Sequence, residues 1–180
     1  SKIEDSGDWN LSGERYRVNY KLELSNYDMV ELGEVCNVQS GFGFPRNEQG
    51  RLDEEFPFLK VSDMNIVGNE IYIYKYNNSV SRTVLHKLKA KAFPKDTIIF
   101  PKIGAAISTN KKRIITVPST FDNNVMGLIP NNRINGLFLF YLMKNFDLSD
   151  WASESSLPSI RKSDVIKEVF PLPPLSVQEE

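Results

Sequence analysis

The stretch "DTIIFPKIGAAISTNKKRIITV", Asp96 to Val117, sets the terms on which the rest of the chain is read. Its ends, "DTIIF" and "RIITV", are β-branched runs and predict two strands. The connection between them passes through glycine, alanine and hydroxyl residues and arrives at three consecutive cations, Lys111, Lys112 and Arg113. "GAAISTN" has little bulk, so its backbone can approach a ligand closely, while Ser108, Thr109 and Asn110 supply short donors and acceptors. Strands that carry such a loop suit a binding surface.

Working outward, Val30, Leu32, Val35 and Val38 fit a strand or a short helix, and periodicity does not choose between them. "QSGFGFPRNEQG" is a glycine-rich loop, "FPFLKVSDMN" holds a strand over 58–61 that closes in a polar turn, and "NEIYIYKYN" alternates like a strand. "VLHKLKAKAF" reads as an edge strand or a basic helical turn. "NVMGLIP" reads as a strand, and "GLFLFYLMKNF" is apolar nearly all round, as a buried helix would be. A short helix or strand from about Ser163 precedes a proline-rich exit. Strands early and helices late give an α+β class.

At 180 residues, with 41% apolar and 25% charged residues, the chain has ordinary globular usage for about one domain. No stretch approaches the roughly 18 to 20 apolar residues of a membrane span, and the polar start "SKIEDSGDWN" is unlike a signal peptide, so no membrane partner and a cytoplasmic location are expected. The missing initiator methionine and the charged ending "SVQEE" point to a segment of a longer chain. Residues 1–25 read as a linker or arm, with Trp9, Leu11 and Tyr16 as its docking points, and 26–180 as the domain proper.

Several chemistries are absent. One cysteine, Cys36, and one histidine, His86, leave no zinc set of the usual kind, and no metal or cofactor is expected. No glycine precedes a lysine, which removes the phosphate loop. No acid stands two residues before a Lys or Arg, as the commonest metal-dependent nucleases require. The sole Pro-Pro, Pro173 and Pro174, lies between leucines and cannot grip a flipped base as an amino-group methyltransferase would.

Charge is unevenly distributed although the net is only −1. From Thr97 to Phe121 there are four cations, Lys102, Lys111, Lys112 and Arg113, and no acid, whereas acids outnumber bases before Val35. Charges farther off than a Debye length of about 8–10 Å are screened, so local charge decides, and such a segment is suited to a polyanion. "SGFGF", "KVSDMN", "TFDNN" and "SESSLPSIRK" repeat the same kit of hydroxyls, amides and cations. Amides read adenine edges, Arg and Lys read guanine or hold phosphate, and hydroxyls do either.

In order along the chain, "ELGEVCNVQSGFGFP", "FPFLKVSDMN", "DTIIFPKIGAAISTNKKR", "FDNNVMGLIPN", "LFLFYLMKN" and "SLPSIRKSDVIKEVFPLPPLSVQEE" resemble a target recognition domain of the specificity subunits of type I restriction-modification systems. The resemblance implies an α+β fold with a β-helix-like front part and helices behind. It implies a non-catalytic module that grips half of a bipartite double-stranded DNA target and positions methyltransferase and restriction subunits or modules. The ending looks like the lead-in to a spacer helix. "SGDWNLSGERY" is similar to stretches that join adenine methyltransferase modules to specificity domains, which would make the parent a fused chain. At "SESSLPSIRK" the sequence departs from the Gly and Gln of many relatives, with Leu157 and Pro158 in their place.

The residues expected to grip the DNA backbone are Lys102, Lys111, Lys112 and Arg113, and those expected to read bases are Ser108, Thr109 and Asn110. Ser40, Phe42, Lys60, Ser62, Asp63, Asn123, Asn124 and Arg161 complete the candidate set. Two other classes compete: a nucleic-acid-cleaving enzyme using carboxylates of "LDEEF" and Asp63, and a protein-interaction module of a DNA-defence complex.

Overall fold

The alternation in the two runs that bracket the cationic loop decides the architecture, because successive strand residues face opposite ways. In the computed structural model, which describes residues 27–179, β6 (Ile98–Pro101) and β7 (Arg113–Ile115) pair antiparallel with Ile98 opposite Ile114. They lie inside a five-stranded sheet of order β2 (Cys36–Ser40), β9 (Val125–Pro130), β6, β7, β4 (Tyr72–Ile73). Ile98, Phe100, Ile114, Met126, Leu128 and Val38 point to one face, Ile99, Ile115, Val125 and Ile73 to the other, and both faces are buried.

The first face packs against the helix Gly136–Lys144 through Leu139, Phe140, Leu142 and Met143. Asn135 starts that helix by accepting from the backbone N–H of Leu137 and Phe138 at 2.8 and 3.1 Å. The helix is not buried all round as its composition suggested, since Leu137 and Tyr141 are 43% and 54% exposed. On the second face a small sheet of order β5 (Ser79–Val80), β3 (Phe56–Leu59), β8 (Thr120–Phe121) contributes Leu59 and Phe121, with Phe93 stacked on Phe121 at 4.4 Å. A third pairing, β1 (Met29–Glu31) with β10 (Val169–Pro171), joins the first described strand to the last.

Strands and helices are thus mixed along the chain, a mixed α/β arrangement. The expected β-helix-like front is corrected. Among the described residues the strands form three open sheets, and only β3–β8 and β4–β7 run parallel. Several ambiguous segments resolve. The run 29–38 is strand, one helical turn (Leu32–Val35) and strand, and "VLHKLKAKAF" begins in the helix Arg82–Lys87, capped by the Ser81 hydroxyl. The expected arm over residues 1–25, with Trp9, Leu11 and Tyr16, lies outside the described residues.

Candidate nucleic-acid interface

Lys102 stands where β6 leaves the sheet, and its backbone is held from both sides. Its N–H donates to the Asn124 carbonyl at 2.8 Å, and its own carbonyl accepts from the Ile160 N–H at 2.9 Å. Its ammonium donates to the Ser40 hydroxyl at 3.1 Å. Two residues on, the N–H of Gly104 donates to the Pro158 carbonyl at 2.8 Å, and Gly104 adopts a left-handed φ of 69° that a side chain would strain. The glycine loop after Ser40 is threaded under the β8–β9 turn: Gly41 N–H donates to Val125 and Phe42 N–H to Phe121. In that turn the Asp122 carboxylate accepts from the Asn124 backbone at 3.0 Å and its side chain at 3.3 Å, which leaves Asn123 exposed at the tip. Burial pushes the Asp122 carboxyl up, opposed by those hydrogen bonds and the positive charge of Lys60.

The remaining loop joins from the other side. Lys111 donates to the Asn65 amide oxygen, and Arg113 donates to the Met64 carbonyl at 2.9 Å, so the polar turn after β3 lies against the cationic end of the central loop. Lys60 donates to the Gln49 amide oxygen at 3.2 Å. All five hydrophilic loops singled out in the sequence are therefore linked by direct contacts. Arg161 follows Ile160 and is exposed, as are Ser62, Ser108 and Thr109. The last two hydroxyls donate back to Ala105 and Ala106 at 2.8 and 2.7 Å within a 3-10 turn over Gly104–Thr109 that the sequence did not announce, leaving their acceptor lone pairs outward.

Three of these cations share one property. Lys102, Lys60 and Lys111 each donate to a neutral hydroxyl or amide, which orients the ammonium without cancelling its charge. The ion pairs found among the described residues lie elsewhere: Arg51–Glu54, Arg82–Glu55, Lys87–Glu48 and Arg133–Glu34.

Five expected contacts have other roles in the structure. Lys112 is 1% exposed and donates to the Phe146 carbonyl at 2.7 Å and to the Asn110 amide, so it ties the loop to the end of the long helix. Asn110, in the left-handed conformation at φ 52°, accepts from Lys112 and from the Leu148 N–H at 3.0 Å. Arg113 is half-buried and spends its two terminal nitrogens on the Lys112 and Met64 carbonyls. Asp63 is fully buried and accepts from the backbone of Lys60 at 2.7 Å and of Asn77 at 3.1 Å. Phe42 stacks on Phe93 at 6.0 Å and joins the core.

Burial is the main reason that the Lys112 amine is pushed down to about 8, with Asp147 opposing and Lys144 reinforcing. A folded value below the unfolded one means that the unfolded chain binds the proton more tightly, so stability contributed through this group rises with pH from about 8 towards the ordinary lysine value near 10.4. Wild type should therefore gain stability relative to Lys112→Met across that window in denaturant melts, by at most about 1.4 kcal/mol per pH unit. A constant difference between the two proteins would refute the assignment.

The alternative chemistry finds little support. Glu54 and Glu55 are engaged with arginines, Asp63 is internal, and burial pushes the Cys36 thiol up to about 12, which suits its role as a small core residue. Among the described residues no cluster of His, Cys, Asp and Glu could hold a metal, and no helix is long and apolar enough to cross a membrane. Asp122 is a positioning acid outside the expected set. Its signal was the Asp-x-Asn spacing of an Asx turn.

Residues 25–180 match the family profile described as the type I restriction modification DNA specificity domain. Among curated proteins the chain is similar to the type I restriction enzyme MjaIX specificity subunit of Methanocaldococcus jannaschii, 22% identical over 158 residues, covering 86% of this chain and 35% of that protein. Among solved structures it resembles the HsdS subunit from Thermoanaerobacter tengcongensis, with a TM-score of 0.65, 15% identity and coverage of 92% of this chain and 41% of that one. A chain from a study of complex assembly and conformational transition of the type I R-M system gives a TM-score of 0.67 at 15% identity, covering 92% of this chain and 44% of that one. The chain thus spans less than half the length of each of these relatives.

Proposed function

Because this chain belongs to the type I restriction modification DNA specificity domain family, we propose that it binds duplex DNA and reads one half of a target site through the loops gathered around Lys102. The observation that carries the reading is that the lysines at 60, 102 and 111 are each held by a neutral partner, on loops that are joined to one another by hydrogen bonds. Lys102, Lys111, Lys60 and Arg161 hold phosphates. Ser40, Ser62, Ser108, Thr109, Asn123 and Asn124 face base edges or sugar and phosphate oxygens. The domain does no bond chemistry itself and positions methyltransferase and restriction subunits or modules on the DNA, in the cytoplasm. Residues 26–180 form the recognition unit, residues 1–25 lead in from a preceding module, and the C-terminal end leads towards a spacer helix.

A salt titration of duplex binding tests this. The logarithm of the affinity should fall by about 0.9 per tenfold rise in salt for each phosphate neutralised, so four contacts give a slope of about −3.6. A response indifferent to salt would overturn the proposal, and so would cleavage or methyl transfer by the isolated chain.

A further inference from the structure

We propose that Leu157 is a specificity-determining contact of this interface and reads the C5-methyl group of a thymine in the recognised half-site. The inference rests on the DNA-binding reading above. A lone exposed apolar side chain needs no explanation. Leu157, 63% exposed, differs in how its backbone is held. Its carbonyl accepts from the Ser155 hydroxyl at 2.7 Å. The Ser153 hydroxyl accepts from the Ser159 N–H at 3.1 Å and lies 3.2 and 3.4 Å from the hydroxyls of Ser155 and Ser159. The next residue, Pro158, accepts from Gly104, and Ile160 donates to Lys102. A loop without a helix or sheet of its own is thereby fixed on both sides of one leucine and fastened to the backbone of Lys102 and Gly104.

Gly104 completes the arrangement. A Cβ there would stand 3.4 Å from a Leu157 methyl carbon, in van der Waals contact, so the leucine lies over bare backbone at the start of the 104–109 turn. The other side chains assigned to DNA around it are hydroxyls, amides and cations; the methyls of Thr109 and of the exposed Ala105 are the small apolar groups nearby, and Leu157 is much the larger apolar surface. In the major groove only thymine presents a methyl group, and an apolar side chain is the group that recognises it.

The test uses the full-length protein assembled with its partners, wild type and Leu157→Ala, on the duplex chosen by wild type from a random pool. Each thymine of the half-site is replaced in turn by deoxyuridine, which lacks only the methyl. At one position wild type should lose about fourfold in affinity, the worth of one buried methyl. Leu157→Ala should already be about that much weaker on the unmodified site and lose nothing further there, with an unchanged salt slope. A half-site without thymine, or deoxyuridine losses that are the same in both proteins, would overturn the inference while leaving the DNA reading intact. Salt-insensitive binding by wild type would remove both.

Discussion

Gly41→Ala should lower the stability of the domain by about 3 kcal/mol or more, because the new methyl would be forced into main-chain atoms that cannot yield. At Gly41 an added Cβ would overlap the carbonyl oxygens of Phe121 and Asp122 and stand 2.7 Å from the Asp122 carbonyl carbon. A flexible side chain could move aside, but here the obstacle is the backbone of β8 and the turn that follows it. Relief requires breaking the bonds from Gly41 to Val125 and from Phe42 to Phe121, and with them the parallel bridge between Phe42 and Asp122. The displaced segment carries Ser40 away from Lys102, so DNA affinity should fall along with stability. Denaturant melts that differ from wild type by less than 1 kcal/mol, on the scale of a tolerated surface change, would contradict the threading described above.

Lys102→Met should leave stability nearly unchanged and weaken duplex binding about tenfold, the usual loss for one hydrogen bond to a charged group. The methionine keeps the half-buried stem filled and removes only the ammonium, whose partner Ser40 is exposed and can turn to water. The salt slope should become shallower by about 0.9, as expected when one phosphate contact is lost. Lys112→Met is the contrast. Its ammonium is internal, so the slope should stay as in wild type while the melting behaviour changes. Equal slopes for wild type and Lys102→Met would place the DNA elsewhere.

The sequence displayed the framework more openly than the site. Ile98, Ile99, Ile114 and Ile115 are β-branched and flanked by turn residues, so their strands were legible, and period-two alternation then assigned each to a face. "VLHKLKAKAF" was ambiguous because its lysines alternate with apolar residues, and the decision came from the Ser81 cap, a feature of one hydroxyl. Lys111, Lys112 and Arg113 looked equivalent as a cationic run. They separate because Asn110 turns the backbone left-handed just before them, sending Lys112 inward to the Phe146 carbonyl while Lys111 reaches across to Asn65. No local pattern encodes that reversal. The meeting of loops 40–44, 60–65, 102–113, 120–124 and 153–162 depends on pairings between residues far apart in sequence, such as Ser40 with Met126 and Ile103 with Ser159. A family resemblance could imply such a meeting, whereas residue periodicity could not.

The pairing of Glu31 with Val169 and of Met29 with Pro171 has a bearing on exchange. Antiparallel neighbours sit about 4.8 Å apart, so the polypeptide departs almost where it arrived. Everything between those two strands can be lifted out and replaced by another cassette of the same type without shifting whatever flanks it. If the domain reads DNA as proposed, a change of target can be confined to the segment between these two strands.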